Sequence, residues 1–205
     1  MALTKRIALA SMSRRERKKI ETRRRILNAA IDLMQERSFD DVRVEEICER
    51  ADIANATFFT YFASKSGLIA AFNEQIAEKI VDELAEYSVG GADRLEILRA
   101  IMIEEWRANA SITRRFIGEA AQRGAVSLLD ASQSLYRVAE EIIEDGMSNG
   151  DFAKSASASS AALTLIAAWI AVGARWARDG DAARAVEESR EVLDFALFGL
   201  APRRH

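Results

Sequence analysis

The sequence predicts an all-α protein, and two observations support that prediction. The chain of 205 residues contains one Pro and 10 Gly, so it has few of the residues that interrupt helices or build hairpins. Ala, Leu, Ile, Glu and Arg dominate, and apolar residues recur at helical spacing without the alternation typical of strands. We therefore expect helices along most of the chain.

A first helix is predicted from about Arg14 to Arg37, with an apolar stripe of Ile20, Leu27, Ala30, Ile31 and Met34. The segment SFDD ends it. A short second helix follows, with the stripe Val44, Ile47, Cys48 and Ala51. The segment ADIAN then makes a tight turn into a third short helix. Two short helices joined by a tight turn and braced by longer helices predict a helix-turn-helix.

Four aromatic rings crowd the third helix at Phe58, Phe59, Tyr61 and Phe62. Successive residues of a helix point about 100° apart, so no single face holds all four. We expect Phe58 and Phe62, at i and i+4, to pack on the core. Phe59 is predicted to lie beside that face. Tyr61 is predicted to point away, where its hydroxyl meets a DNA phosphate.

Ser64 is the predicted N-cap of a long fourth helix. Its apolar residues repeat every four positions: Leu68, Phe72, Ile76, Ile80 and Leu84. Gly90 and Gly91 form the clearest boundary in the chain. Beyond them we predict helices at residues 93–109, 112–122, 126–147, 155–179 and 182–199.

The charge is concentrated at the N-terminus. Residues 1–25 carry ten Lys and Arg against two Glu, whereas the whole chain has a net charge of -3. A basic segment on a weakly acidic protein favours local contact with a polyanion such as nucleic acid. The alternative is a solubilising tail.

Residues 22–72, TRRRILNAAIDLMQERSFDDVRVEEICERADIANATFFTYFASKSGLIAAF, resemble the DNA-binding domain of TetR-family transcriptional regulators. The features that agree in order are the ILNAA helix, the Phe39 turn, VEEI, the ADI turn and TFFTYFASKSGL before a long helix. The resemblance implies a homodimer that binds double-stranded operator DNA. It also implies an unidentified small-molecule effector in the C-terminal half.

Five positions depart from the family pattern. The family usually has Gly, Thr, Gly, Ser and Tyr where this chain has Ser38, Arg43, Asp52, Ala54 and Phe59. Losing the Ser cap costs about 1 kcal/mol of helix stability. Lys65 is retained near the start of the fourth helix, where its charge and backbone N–H groups meet a phosphate. We predict DNA contacts from Arg17, Arg24, Arg43, Asn55, Ala56, Thr57, Phe59, Thr60, Tyr61 and Lys65.

We divide the chain into a basic flexible arm (1–13), a helix-turn-helix domain (14–63) and a helical ligand-binding and dimerisation domain (64–205). By the resemblance, the last two helices form the dimer face. Small residues there allow close approach: Ala161, Ala162, Ala167, Ala168, Ala171, Gly173 and Ala174. The partner helix offers Leu193, Ala196 and Leu197. The alternative is ordinary core within one chain.

The predicted effector site lies between the central helices. Its candidate lining is Met102, Trp106, Phe116, Ile117, Leu129, Tyr136 and Trp169. These residues suit a hydrophobic effector, although apolar residues at helical spacing are more often simply core. The function predicted is a repressor released from a palindromic operator. The alternatives are a DNA-binding protein without an effector, or an activator.

The composition argues against other classes of function. One Cys and one C-terminal His leave no catalytic dyad or zinc cluster, so we predict no enzyme, no metal and no cofactor. Cys48 lies on an apolar stripe, and we favour a buried inert thiol over a redox switch. The segment SAALTLIAAWIAVGA is followed at once by Arg175, so we expect a buried helix and no membrane partner. The predicted location is the cytoplasm.

Overall fold

The computed structural model is all-helical over the residues it describes, 12–86, 89–123 and 132–198, with the backbone alone described at 116 and 118–123. The predicted fold class is therefore confirmed. The helices in chain order are α1 (Arg14–Glu36), α2 (Val44–Arg50), α3 (Asn55–Tyr61), α4 (Gly67–Leu84), α5 (Gly91–Ala108), α6 (Ala110–Arg123), α7 (Gln133–Asn149), α8 (Ala158–Asp179) and α9 (Ala182–Phe198).

A reciprocal cap fixes the start of α1. The Ser13 hydroxyl accepts the backbone N–H of Glu16 at 3.2 Å, and the Glu16 carboxylate accepts that of Ser13 at 2.8 Å. The S-x-x-E spacing is a known start signal for a helix, and it places the start at Ser13 more closely than the apolar stripe does. Ile20 was predicted in the apolar stripe but is 42% exposed. The buried residues of the helix begin at Ile26, so its first turns extend beyond the core.

The start of α4 differs from the prediction. Ser64 is not its N-cap, because the helix begins at Gly67 after a tight turn. In that turn Gly67 N–H donates to the Ser64 carbonyl at 3.0 Å, and Leu68 N–H donates to that of Lys65 at 3.1 Å. The predicted four-residue repeat is otherwise confirmed: Leu68, Phe72, Ile76 and Ile80 are buried, and Leu84 is partly buried.

Three later helices begin at other residues than predicted. The helix predicted from 126 begins at Gln133, because Ser132 lies in a turn. α8 begins at Ala158, where the Ser157 hydroxyl accepts the Ser160 N–H at 3.1 Å. α5 begins at Gly91, whose N–H donates to Asp151 at 2.7 Å.

Glycine is required at the start of α5 by close packing. A Cβ at Gly91 would lie 2.7 Å from the Phe152 ring, which packs between this position and α7. The boundary predicted from Gly90 and Gly91 is thus a tight junction between helices.

The C-terminal core is built around α8, which contacts α6, α7 and α9. α8 is long and apolar enough to cross a membrane, with a mean hydropathy of 1.4 in its most apolar window. One side of it is buried against the other helices: Leu165, Ile166, Trp169 and Ile170. The Trp169 indole N–H donates to the Ser189 carbonyl at 2.9 Å, which ties α8 to α9.

An ion pair within α5 is linked to α9 by a hydrogen bond. The Arg99 guanidinium is buried and donates to Glu96 at 2.5 and 2.6 Å and to the Ser189 hydroxyl at 3.0 Å. Its hydrogen bond holds the pKa of the partly exposed Glu96 below the ordinary value of 4.5. This network fixes α9 on the bundle.

Candidate nucleic-acid interface

The turn between α2 and α3 contains a left-handed residue. Asp52 has φ 50°, a conformation natural for Gly and better tolerated by Asp than by most residues. Its N–H donates to the Glu49 carbonyl at 3.1 Å, and the Ile53 N–H donates to that of Cys48 at 3.0 Å. The turn therefore closes without the Gly usual in the family.

Glu46 fixes the start of α2. It accepts the backbone N–H of Arg43 at 2.8 Å and the Arg37 guanidinium at 2.9 Å. These bonds, the first above all, lower the pKa of Glu46 from its ordinary value of 4.5. The Arg43 side chain is exposed, with Nε 3.7 Å from Glu46. Its charge lies at the surface, as the predicted phosphate contact requires.

The aromatic residues of α3 divide into a buried and an exposed set. Phe58 and Phe62 are buried as predicted, with ring centroids 5.5 Å apart. The predicted orientations of the other two are reversed. Phe59 is 56% exposed, whereas Tyr61 is half-buried and packs on the core. Phe59 is held edge-on to Phe58, with centroids 5.4 Å apart.

The remaining predicted base readers lie at the surface of α3. Asn55, Ala56 and Thr60 are exposed and Thr57 is half-buried. The Thr60 hydroxyl donates to the Ala56 carbonyl at 3.1 Å. Ala54 at the N-cap position makes no side-chain bond, as the loss of the usual Ser predicts.

Lys65 is engaged inside the protein. Its ammonium donates to the carbonyls of Phe39 at 2.7 Å and Val42 at 2.8 Å, and lies 4.6 Å from the centre of the Phe39 ring. These bonds hold the loop between α1 and α2 against the start of α4. They compete with the predicted phosphate contact.

The basic residues of α1 differ in their surroundings. Residues 14–25 carry eight Lys and Arg against two Glu. Arg17 is exposed on the part of α1 that extends beyond the core. Arg24 lies further along, pairs with Glu78 of α4 at 3.0 Å, and is still exposed. The predicted arm at residues 1–13 lies outside the described residues up to residue 11.

The loop after α1 also contacts α6. Arg115 pairs with Asp40 at 3.3 Å, and its guanidinium lies 5.6 Å from the Phe39 ring centre. The Ser111 hydroxyl donates to the Arg37 carbonyl at 3.2 Å. A cleft of about 660 Å³ runs between this loop and residues 108–115. α6 thus touches the loop that Lys65 holds, a long-range contact that sequence spacing did not reveal.

Most of the predicted effector residues pack in the core. Met102, Trp106, Ile117 and Trp169 are buried, and a Cβ at Gly173 would lie 2.9 Å from the Trp106 ring. Tyr136 is half-buried and its hydroxyl bonds with that of Ser159 at 2.6 Å. The Phe116 side chain and Leu129 lie outside the described part of the chain.

Two buried polar atoms of α5 and α6 have no hydrogen-bond partner among the described residues: the indole nitrogen of Trp106 and the hydroxyl of Thr113. A buried donor without a partner costs about 1–3 kcal/mol. Such atoms are candidates for contact with a bound molecule. The sequence does not show that these atoms lack partners, because hydrogen-bond pairing depends on the fold.

The predicted dimer residues fall into two groups. Ala162, Gly173 and Leu193 are buried in the protomer's own core, so their small or apolar side chains serve the bundle. Ala167 and Ala171 are exposed, one turn apart on α8. Three large apolar residues of these helices are also exposed: Leu163, Phe195 and Phe198. α8 and α9 therefore present an apolar face to solvent.

No cluster of three or more metal-ligating residues occurs among the described residues. Cys48 is buried, and burial raises the pKa of its thiol. A buried thiol of raised pKa is a poor redox sensor.

Comparison with known proteins places the helix-turn-helix in one family. Residues 26–72 match the family model described as bacterial regulatory proteins, tetR family. The uncharacterized HTH-type transcriptional regulator YvdT of Bacillus subtilis is 26% identical over 69% of this chain and 75% of its own. An uncharacterized HTH-type transcriptional regulator of Mycobacterium tuberculosis is 43% identical, over 27% of this chain and 26% of its own length.

Solved structures share the fold over most of the chain. FadR of Thermus thermophilus, a TetR-family repressor solved with lauroyl-CoA, is 22% identical with a TM-score of 0.73, covering 89% of this chain and 97% of its own. FadR of Bacillus subtilis, solved with stearoyl-CoA, is 17% identical with a TM-score of 0.64, covering 86% and 98%. The sequence match is thus strongest in the helix-turn-helix domain, called the reading head below, and the likeness beyond it is mainly one of fold.

Proposed function

Because the chain belongs to the TetR family of DNA-binding transcriptional regulators, we propose that it is a homodimeric repressor released from a palindromic operator by a small hydrophobic effector. The observation that carries the proposal is the exposed face of α3 in a domain whose first helix is strongly basic. Binding to chromosomal DNA makes the cytoplasm its place of action.

The dimer is supported by the apolar face of α8 and α9. Exposed Leu163, Phe195 and Phe198 lie on the same two helices as the small residues Ala167 and Ala171. Small residues let two helices approach closely, and large apolar residues supply buried area. Two-fold pairing through this face gives two reading heads for half-sites roughly 34–36 Å apart.

Effector control is supported by the contact between α6 and the reading head. Arg115 and Ser111 of α6 bond to the loop that precedes α2, so a shift of α6 changes the support of that loop. An effector that binds better to the shifted state lowers DNA affinity by its differential binding.

The class of effector is supported by the lining and by two relatives. The Trp106 nitrogen and the Thr113 hydroxyl are buried without a partner among the described residues, which suits a mainly apolar molecule with a polar group. The two FadR proteins were solved with lauroyl-CoA and stearoyl-CoA. Lauroyl-CoA is therefore the first probe to use.

The alternative without an effector is favoured by one observation. The core around Trp106 is closely packed, since no side chain larger than Gly fits at 173 without displacement. An effector must then open this core, whereas a protein without one needs no opening.

The proposal is tested by selecting bound duplexes from a random DNA library with the full-length protein. A two-fold symmetric consensus is expected, and retained DNA without a consensus would contradict sequence-specific binding. The selected operator then serves in a release assay. Release by lauroyl-CoA, but not by coenzyme A alone, supports the effector class. Binding that no apolar acyl compound alters favours the alternative without an effector.

A further inference from the structure

We propose that α3 reads A·T base pairs, with Phe59 contacting a thymine methyl group and Asn55 contacting adenine. This inference rests on the proposed operator binding and adds the base composition of each half-site. It comes from the chemistry of the exposed face of α3.

The exposed residues of α3 form one continuous face. At about 100° per residue, Asn55, Phe59, Ala56 and Thr60 fall within an arc of about 140°. All four are exposed, while Phe58 is fully buried on the other side. This face is therefore the surface that α3 presents to a DNA groove.

The face is uncharged and partly apolar. Phe59 exposes 56% of its surface, and its edge-on packing against Phe58 limits its freedom to turn away. Because the Thr60 hydroxyl is bonded to the Ala56 carbonyl, its methyl group is the part left for contact. In the major groove the apolar group of a base pair is the C5-methyl of thymine.

Guanine has no suitable reader on this helix. Its major-groove acceptors are read mainly by Arg or Lys, yet residues 51–64 contain neither, and their one charged residue is Asp52. The flanking cations are engaged elsewhere. Lys65 donates to the Phe39 and Val42 carbonyls, and Arg50 pairs with Glu36 at 3.4 Å.

Adenine has a suitable reader in Asn55. A side-chain amide offers one donor and one acceptor, which match the N6 and N7 groups of adenine. Asn55 is exposed at the first position of α3, on the same face as Phe59. Asn55 and Phe59, on one face of α3, therefore contact the adenine and the thymine of A·T pairs.

The test uses the operator selected from the random library. Each thymine of a half-site is replaced in turn by deoxyuridine, which removes only the methyl group. Loss of a contacted methyl is expected to weaken binding by about fourfold. Because the change is made in the DNA, the folding of the protein does not affect the result.

Two variants assign the contact to Phe59. Phe59→Ala is expected to bind the thymine and deoxyuridine operators equally at one position, because it has no ring to contact the methyl. Phe59→Tyr keeps the ring and is expected to keep the fourfold preference within a factor of about two.

The outcomes separate the inference from the function on which it rests. A half-site with a run of A·T pairs and a methyl preference lost only in Phe59→Ala supports it. A symmetric consensus read at G·C pairs, or no methyl effect at any thymine, would overturn the inference and leave the operator proposal standing. No consensus at all would overturn both.

Discussion

Two surfaces of this protein leave large apolar side chains in water, and their electrostatic surroundings differ. The face of α3 exposes Phe59 in a domain whose first helix carries eight basic residues against two acidic ones in residues 14–25. The face of α8 and α9 exposes Leu163, Phe195 and Phe198. Residues 182–198 of α9 carry four acidic residues against two basic ones.

The difference shows how charge around an apolar patch selects its partner. A polyanion is attracted to the basic start of α1, in the same domain as α3, and repelled by the acidic helix α9. The first patch therefore suits DNA, and the second suits a protein surface, here a second copy of the chain. Variants of the two surfaces, and of the contacts that support them, test this assignment.

The largest effect is expected from Ala167→Arg, which places a long charged side chain on the exposed face of α8. The variant should be monomeric by sedimentation. Its operator affinity should fall by about 100-fold or more, because the two half-sites are no longer bound by one linked particle.

Ala100→Arg is the matched control, since Ala100 is exposed on α5. It should leave both the oligomeric state and DNA affinity unchanged. If Ala167→Arg remained dimeric, this face of α8 would not be part of the dimer interface.

Lys65→Met tests whether this residue supports the reading head from within. Loss of its charged hydrogen bonds to the Phe39 and Val42 carbonyls should lower the free energy of unfolding by about 2–3 kcal/mol. The salt dependence of DNA binding should be nearly unchanged in denaturant-free buffer.

Arg43→Met removes an equal charge from an exposed position. It should change the salt dependence of DNA binding and leave the stability nearly unchanged. Its stability should stay within about 0.5 kcal/mol of wild type. The slope of log DNA affinity against log salt concentration (the salt slope) should fall in magnitude by about 0.9, as expected for one lost phosphate contact. If Lys65→Met left the stability unchanged and reduced the salt slope, Lys65 would be a phosphate ligand, as the sequence predicts.

The ion pair between Glu96 and Arg99 predicts a pH dependence of the C-terminal bundle. Because the folded pKa of Glu96 is lowered, its contribution is present above the ordinary value of 4.5 and is lost as the pH falls through the folded pKa. Glu96→Gln should destabilise the protein near neutral pH by about 1 kcal/mol, a figure reduced for the exposure of Glu96.

Urea unfolding at several pH values checks this prediction. The difference between wild type and Glu96→Gln should shrink as the pH is lowered below 4.5. A difference that stays constant across that range would mean that the carboxylate charge does not stabilise the bundle.

Small effects are also expected from single cations of α1. Arg17→Gln should reduce the salt slope of DNA binding by about 0.9 if Arg17 meets a phosphate. Arg24→Gln should reduce it less, because Arg24 is shared with Glu78 at 3.0 Å. Equal reductions of the salt slope would show that Arg24 leaves Glu78 to contact DNA. If neither variant reduced the slope, α1 would not belong to the DNA interface.

Local pattern was enough to predict the fold class and most of the helix-turn-helix. The apolar repeat of α4, the burial of Phe58 and Phe62 and the turn at Asp52 all follow from spacing within a few residues. The exposure of Phe59 did not follow. Phe59 and Tyr61 each lie about 80° from the middle of the buried face, so helical geometry alone cannot decide between them.

The remaining features depend on contacts between distant residues. Lys65 bonds to carbonyls more than twenty positions earlier, and Arg115 pairs with Asp40 of the same loop. Ala162 and Gly173 look like interface residues by size, yet they fill the protomer's own core. Small side chains serve a core and an interface equally well, so only the fold separates them.

The most direct test of the contrast between the two surfaces is the mass of the complex with one selected operator duplex, measured by sedimentation equilibrium. The account predicts two protein chains per duplex for wild type and a mass below that for Ala167→Arg at the same concentration. One chain per duplex for wild type, with sequence preference intact, would contradict the assignment of the α8 and α9 face to a second copy.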